Sequence, residues 1–340
     1  MITEVKKNGQ SGGGHSKLDN MKLAIVGPGI MPIPPDGWGA VEMLIWDYTQ
    51  IIRELGHRVE IINTPDRELI KFEVAHGKYD IVHLHYDVFH DIIDDLAPLC
   101  GALIVSSHYP FVNTPAMWGR DGYGAIAQRI AANRNHHIFC SSLKDVDTWI
   151  QMGANPKRLW LSKLGVRPGP YKFDEHASLD RTLCFSQIVD RKRQYLLEKI
   201  DSVDFMGRME FGGKFNKNNP NYKGEVIREN LNEYITCYSN IALLSSVENT
   251  TPLVIKEGLI CGLGVVCSEA VAPELDTSKP WIDVIPESKI NNPEYVLEVI
   301  ENNKKVSKQH RQEIREYGIH EFGLENILAY EYLPKLQSLL

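Results

Sequence analysis

The sequence predicts an α/β protein built from two tandem units, each with a doubly wound parallel sheet. Short β-branched and apolar runs alternate with longer segments of helical spacing, which is the rhythm of β-α-β units. The alternation pauses at a connector with Pro168, Gly169 and Pro170, and then restarts. The chain has 340 residues, which suffices for two domains of about 150 residues each.

The first unit is predicted over residues 21–175. Its first strand, KLAIVGPG, begins at residue 22 and ends in glycines. The helix that follows has apolar residues three and four apart and is closed by Gly56. Further strands are predicted in the segments RVEIIN, YDIVHLHY, ALIVSSH and HIFCSS, which begin at residues 58, 79, 102 and 137.

The second unit is predicted over residues 176–318. Its strands are predicted in TLCFSQIV, VDFMG, NYKGEV, IALLSS, GVVCSE and WIDVIP, which begin at residues 182, 203, 221, 241, 264 and 281. Its helices are predicted in RKRQYLLEKI, NLNEYITCYS, TPLVIKEGLICG and PEYVLEVIENNKKV, which begin at residues 191, 230, 251 and 293. Residues 319–340 are helical and long enough to return to the first unit.

Composition narrows the class of protein. Hydrophobic residues make up 43% and charged residues 24%, as in ordinary globular proteins. No apolar run approaches the roughly 20 residues of a membrane span. Residues 1–20 lack the apolar core of a signal peptide, so we expect a flexible tail and a cytoplasmic protein. The net charge of −7 argues against a general nucleic-acid binder.

Cysteine and histidine spacing predicts no metal site. The six cysteines are scattered through apolar stretches without a CxxC pair, which is typical of reduced, buried thiols. The twelve histidines form no HExxH motif or Cys/His cluster.

Three segments follow strands and should therefore border the cleft between the units. The first is a glycine-rich loop in which Gly37 and Gly39 precede a helix. Backbone N–H groups at such a turn can approach an anion. The alternative is a loop that only reverses the chain.

The second segment is the basic turn of Arg191, Lys192 and Arg193, which follows a strand. Cations at this position suit a diphosphate lying in the cleft, with help from a helix N-terminus. The alternative is a solvated basic turn without a ligand.

The third segment is a helix that begins near Pro252 and carries Glu257 on an apolar face with Leu253 and Ile260. A buried carboxylate is costly unless it is paired. A carboxylate accepts two hydrogen bonds at once, so the vicinal hydroxyls of a ribose would suit Glu257.

This succession of segments resembles the retaining glycosyltransferases of family 4, which have the GT-B fold of two facing Rossmann-like domains. Their hallmark is a glutamate, seven residues and a second glutamate, then a glycine before a strand. Here Glu257, Gly262 and GVVCSE match the second half, whereas Asn249 stands at the first glutamate and Glu248 lies one residue earlier. The resemblance leaves open which of these two residues contacts the donor sugar.

The resemblance also implies roles for residues elsewhere. Lys192 matches the lysine of the family's GR…K segment, and Gln187 replaces its arginine, so that Arg191 or Arg193 would substitute. SSHYPF matches the segment that places a histidine, here His108, beside the donor sugar. Donor binding is thereby implied for Gly37, Gly39, Gln187, Arg191, Lys192, Pro252, Leu253 and Glu257, and catalysis for His108, Asn249 and Glu248.

The implied function is retaining transfer of a hexosyl or pentosyl group from a UDP- or GDP-sugar, without a metal or cofactor. The family's usual acceptor is a hydroxyl of a saccharide or glycoconjugate. The segment FVNTPAMWGRDGYGAIAQR, with Trp118, Arg120 and Tyr123, would form the acceptor side. Alternatively it is a packed lid.

Other functions remain open at this point. A modified DNA base could be the acceptor, although the net charge disfavours it. A GT-B epimerase would use His108 or Asp87 as acid or base. A non-catalytic sugar-nucleotide binder is suggested by Asn249 and Gln187, where the chain departs from the family.

Overall fold

The computed structural model describes residues 20–36, 39–210, 212–226 and 228–340. The expected N-terminal tail therefore lies, apart from residue 20, outside the described residues. The first sheet has six parallel strands in the order β2-β1-β3-β4-β5-β6. They are β1 (Lys22–Gly27), β2 (Arg58–Asn63), β3 (Ile81–Leu84), β4 (Ala102–Ser106), β5 (His137–Cys140) and β6 (Leu159–Leu161).

The second sheet has five parallel strands in the order β11-β10-β9-β7-β8. They are β7 (Thr182–Phe185), β8 (Val203–Met206), β9 (Asn240–Leu243), β10 (Gly264–Ser268) and β11 (Ile282–Ile285). Both sheets therefore repeat one topology, in which the first strand lies between the second and the third. The predicted α/β class with two Rossmann-like units is confirmed.

Helices join the strands. Those of the first unit are α1 (Ala40–Glu54), α2 (Arg67–Gly77), α3 (Ile93–Leu96), α4 (Tyr123–Ala132) and α5 (Leu143–Gln151). The later ones are α6 (Arg228–Tyr234), α7 (Leu253–Ile260), α8 (Pro293–Gln309), α9 (Arg311–Phe322), α10 (Leu324–Ile327) and α11 (Leu333–Gln337). In the part of the chain that the structure describes, no helix has the length and apolar character needed to cross a membrane.

Burial explains the sequence pattern. Strands β3, β4, β7, β9 and β10 are buried along their whole length, which is why they are apolar runs rather than alternating ones. Helix α1 buries one face, which carries Leu44, Ile45, Tyr48, Ile51 and Ile52. The chain then turns at Gly56, whose φ of 90° favours glycine.

The C-terminal helices divide between the two units. Helix α9 packs so closely on α7 that a Cβ on Gly318 would lie 2.7 Å from the backbone of Leu259. The chain crosses at Gly323, where the N–H of Leu324 donates to the carbonyl of Val166 at 2.9 Å. Beyond it, five apolar side chains join the core of the first sheet: Leu324, Leu328, Tyr332, Leu333 and Leu336. The domain boundaries at residues 175 and 318 stay predictions.

Two local predictions are wrong, and one strand was missed. Residues 191–200 form no α-helix but two short 3₁₀ turns, Asp190–Lys192 and Gln194–Leu196, because Arg193 between them has a left-handed φ of 55°. Residues 221–226 form no strand, and Gly224 has a φ of 83° that breaks an extended run. Strand β6 was not predicted, since it has only three residues.

Candidate functional site

A cavity of about 380 Å³ lies at the facing carboxyl ends of the two sheets. In sheets of this strand order, ligands bind outside the point where the connections change direction, which here is β1/β3 and β7/β9. The structure brings seven predicted residues to its wall: Gly39, Gln187, Arg191, Lys192, Pro252, Leu253 and Glu257. Five further wall residues were missed by sequence reasoning: Ala40, Ser186, Arg208, Leu231 and Val254.

The first unit contributes the N-terminus of α1 to the cavity. Gly39 caps this helix, and its carbonyl accepts from the N–H of Met43 at 2.8 Å. A Cβ on Gly39 would lie 2.9 Å from the Glu42 carboxylate and 3.0 Å from Pro35, so a larger residue would displace these side chains. The first N–H groups of a helix lack partners within the helix, so this end can receive an anion. Gly37 lies outside the described residues.

The second unit contributes a buried ion pair. Lys192 Nζ lies 2.5 Å from Glu248 Oε1, and Arg191 Nη1 lies 3.1 Å from the same oxygen. Both Lys192 and the Glu248 carboxyl group are more than nine-tenths buried. Burial lowers the pKa of Lys192, and the Glu248 carboxylate partly offsets this effect. Glu248 therefore acts as the counter-ion of the two cations.

The turn that carries these cations is fixed by side chains rather than by a helix. Gln194 is buried and donates from Nε2 to Ser186 Oγ and to the carbonyl of Gln187, both at 2.9 Å. The expected helix N-terminus at this turn is wrong, so no helix dipole supports an anion here. Arg193 pairs with Glu287 at 2.6 Å and does not line the cavity.

The loop before α7 reaches across the cleft. Asn249 Nδ2 donates to the carbonyl of Tyr109, and Asn113 Nδ2 donates to the carbonyl of Asn249 at 3.1 Å. Asn249 Oδ1 is buried and has no hydrogen-bond partner among the described residues. Neither Asn249 nor Glu248 lines the cavity wall.

Glu274 anchors this loop. Its Oε2 accepts from the Thr250 hydroxyl, from the N–H of Thr251 at 3.0 Å and from Lys256 Nζ at 2.8 Å. Lys256 is fully buried and also donates to the carbonyl of Leu164 at 2.7 Å. Sequence reasoning missed this network because Glu274 lies 23 residues from Thr251 and Leu164 lies 92 residues from Lys256.

Glu257 is buried on α7 and faces the cavity. The hydroxyl of Tyr171, in the connector between the sheets, donates to Glu257 Oε1 at 2.7 Å. Pro252 is the N-cap of this helix and Leu253 is its first residue, close to the predicted start near Pro252. The Glu257 carboxylate thus has a hydrogen-bond partner in the protein and can also reach a ligand, and these contacts offset the free-energy cost of burying it.

His108 is half-buried and contacts a cluster with the buried His83 and His85 in the first unit. His85 Nδ1 lies 3.0 Å from His108 Nε2, while His83 lies 2.8 Å from both Tyr332 Oη and Ser106 Oγ. Burial lowers the pKa of His108 to about 4 and that of His83 to about 3. His108 is therefore neutral at pH 7. It does not line the cavity between the two sheets.

Asp87 is engaged in a network of its own. Its Oδ2 accepts from the Ser107 hydroxyl at 2.5 Å, and Ser107 Oγ lies 2.8 Å from the hydroxyl of Tyr123. Burial raises the pKa of Asp87, and the hydroxyl donors partly offset this effect. Asp87 does not line the cavity between the sheets.

The expected acceptor-side residues differ in exposure. Tyr123 is buried and its ring stacks on Tyr109 with centroids 3.9 Å apart. Trp118 is half-buried, and its Nε1 donates to the carbonyl of Phe111 at 2.8 Å. Arg120 is exposed. Tyr123 thus packs within the loop, whereas Trp118 and Arg120 retain surface for a ligand.

Comparison with known proteins identifies similar folds. No protein-family model matches this sequence, and no curated protein matches it. Among solved structures, HepE from Anabaena in complex with UDP and glucose is 16% identical, with a TM-score of 0.71 over 94% of this chain and 100% of that chain. Sucrose-phosphate synthase from Thermosynechococcus elongatus is 13% identical, with a TM-score of 0.72 over 94% of this chain and 99% of that chain.

A third similar structure is AviGT4, a glycosyltransferase involved in avilamycin A biosynthesis. It is 15% identical, with a TM-score of 0.62 over 94% of this chain and 98% of that chain. At these identities the likeness concerns the fold, and it confirms the predicted GT-B arrangement of two Rossmann-like units.

Proposed function

We propose that this protein is a retaining glycosyltransferase of the family 4 type, which transfers a hexosyl or pentosyl group from a nucleotide diphosphosugar to a hydroxyl acceptor. The observation that carries the proposal is the cavity between the sheets. A helix N-terminus, a buried lysine and a buried carboxylate meet there. The first two suit a diphosphate, and the carboxylate suits a ribose.

The donor would lie across the cavity. Lys192 and the N-terminus of α1 contact the diphosphate and neutralise the charge that develops as it leaves. Glu257 accepts from the ribose hydroxyls. The donor is a UDP- or GDP-sugar, and UDP gains support because structures of HepE hold UDP and UDP-glucose.

The sugar contact is assigned to Asn249 rather than Glu248. Glu248 already holds Lys192 and Arg191, so its charge has a partner. Asn249 Oδ1 is an unused acceptor, and a sugar hydroxyl is the donor that it lacks. Asn249 Nδ2 donates to the Tyr109 carbonyl, and this hydrogen bond fixes the orientation of the side-chain amide.

His108 would bind a hydroxyl of the donor sugar as a neutral imidazole. Its Nε2 faces His85, which leaves Nδ1 for the ligand. Because its pKa is about 4, the His108 imidazole is uncharged at neutral pH. Retention then proceeds through an oxocarbenium-like state, with the acceptor attacking on the face of the leaving diphosphate.

The acceptor would be a saccharide or glycoconjugate that lies on the first unit. Trp118 and Arg120 supply an aromatic edge and a cation on the accessible part of that loop. The reaction would take place in the cytoplasm, because the free thiols of all six cysteines suit a reducing compartment.

Calorimetric titration with UDP and GDP, followed by turnover of UDP- and GDP-sugars with saccharide acceptors, tests the proposal. We expect binding of one nucleoside diphosphate and a product with the donor's anomeric configuration. No binding of either diphosphate refutes the donor site. Conversion of the sugar nucleotide to its epimer indicates an epimerase. Binding without transfer or hydrolysis indicates a non-catalytic binder.

A further inference from the structure

The cations on the cavity wall are unequal. Arg191 and Lys192 share the carboxylate of Glu248, so their charge is partly neutralised within the protein. Gln187, which replaces the arginine of the resembled family, is neutral, and its Nε2 donates to Glu210 at 2.8 Å. Two cations and one carboxylate leave a net charge of about +1 here, which is less than a diphosphate with two negative charges can use.

Arg208 lies directly beside Gln187. Strand β7 pairs with β8 through Phe185 and Met206, and a further bridge joins Ile188 to Met209. The register between these pairs sets Gln187 opposite Arg208. Partners in adjacent parallel strands lie about 4.8 Å apart and point to the same face of the sheet. Both side chains accordingly line the same cavity.

The backbone before Arg208 is fixed. The N–H of Ile188 donates to the carbonyl of Arg208 at 2.8 Å, which holds the two chain segments together beyond the strands. Gly207 has a φ of 140°, and a Cβ there would lie 2.0 Å from the carbonyl oxygen of Ser186. Only glycine permits this close approach, so the position of Arg208 at the cavity is set by the fold.

The guanidinium of Arg208 is available. It is exposed, and it forms no ion pair or side-chain hydrogen bond with any residue that the structure describes. An arginine presents a planar fork of N–H groups that matches two phosphate oxygens. Of the three cations on the wall, Arg208 is the one that does not share Glu248.

We infer that Arg208 binds the donor diphosphate. It would replace the arginine that the resembled family has at position 187, so that the binding cation comes from the neighbouring strand. This inference rests on the proposed donor site. It adds a binding residue that comes from the end of β8 rather than from the end of β7.

The test compares Arg208→Gln, the double variant Gln187→Arg/Arg208→Gln and the parent, with Arg134→Gln as control. Arg134 is exposed in the first unit, away from the cavity. Calorimetry with UDP, GDP and the matching nucleosides is the measurement. We expect Arg208→Gln to lower the affinity for the nucleoside diphosphate about 10- to 100-fold. The affinity for the nucleoside should fall less than about 3-fold. The double variant should recover most of the loss, and the control should equal the parent.

Each failure has a distinct meaning. If the parent binds neither UDP nor GDP, the proposed function fails. If the parent binds and Arg208→Gln binds equally well, the donor site stands and the role of Arg208 is overturned. Equal losses for nucleoside and diphosphate also overturn it. A double variant as weak as the single one overturns the equivalence of positions 187 and 208.

Discussion

Replacing Glu248 by glutamine should have opposite effects on folding and on ligand binding. The carboxylate is buried and holds Lys192 at 2.5 Å and Arg191 at 3.1 Å. Breaking a buried ion pair by removing one partner costs about 3–5 kcal/mol. Glutamine keeps one acceptor oxygen, so we expect the lower end, about 3 kcal/mol. At about 2–4 °C per kcal/mol for a domain of this size, the melting temperature should fall by roughly 6–12 °C.

Binding should change in the other direction. Two anions that share one ammonium lie roughly 5 Å apart, and at an effective dielectric constant of about 20 two unit charges at that distance repel by about 3 kcal/mol. Without the Glu248 carboxylate, a nucleoside diphosphate no longer meets this repulsion. We expect Glu248→Gln to bind UDP or GDP about 10- to 100-fold more tightly than the parent.

Thermal unfolding with and without UDP or GDP measures both effects at once. The ligand-induced rise in melting temperature should be larger in Glu248→Gln than in the parent. Glu287→Gln is a matched control, because Glu287 pairs with neighbouring Arg193 but is half-exposed, so its loss should cost less than about 1 kcal/mol. Weaker diphosphate binding by Glu248→Gln would refute the counter-ion role and would indicate that this carboxylate itself holds the donor.

The remaining predictions concern four side chains. Lys192→Ala should weaken nucleoside diphosphate binding far more than nucleoside binding in calorimetry, and equal losses would indicate a structural role. Glu257→Ala should reduce the binding free energy of the nucleotide by about 1.5–3 kcal/mol per lost hydrogen bond, and unchanged affinity would exclude the ribose contact. Asn249→Ala should reduce turnover but leave binding of UDP or GDP intact, whereas unchanged turnover at saturating donor would remove the sugar contact. Burial lowers the pKa of His108 from 6.5 to about 4, so its contribution to the free energy of unfolding should be complete above pH 6.5 and decrease towards pH 4. In denaturant titrations, His108→Asn should make this decrease smaller.

Local patterns were enough to predict most of the sheets. The buried strands are β-branched or apolar runs that end at polar or glycine residues, and parallel order follows from the helices between them. The same reasoning failed at residues 191–200. Leu196, Leu197 and Ile200 have helical spacing, but Gln194 turns inward to bond Ser186, and no periodic pattern signals a buried glutamine.

Hydrogen-bond and ion-pair partners that are distant in the chain could not be predicted from the sequence. Tyr171 and Glu257 are 86 residues apart, and Lys192 and Glu248 are 56 apart. Each pairing depends on which strand lies beside which, and that order is set by packing of the whole unit. Segment motifs placed Glu257 and Lys192 on the cavity wall, but their protein partners emerged only with the fold.

Positions 187 and 208 illustrate why a motif read along one strand can misjudge a site. When the sequence is compared with the resembled family, Gln187 stands where that family has an arginine, so a positive charge is missing at this position. Across the sheet, the register sets Arg208 opposite Gln187, and the cavity wall includes both. A diphosphate responds to the position of a charge and not to the strand that supplies it. In a parallel sheet whose strands end at a common edge, neighbouring positions can therefore exchange a binding role while the fold is unchanged.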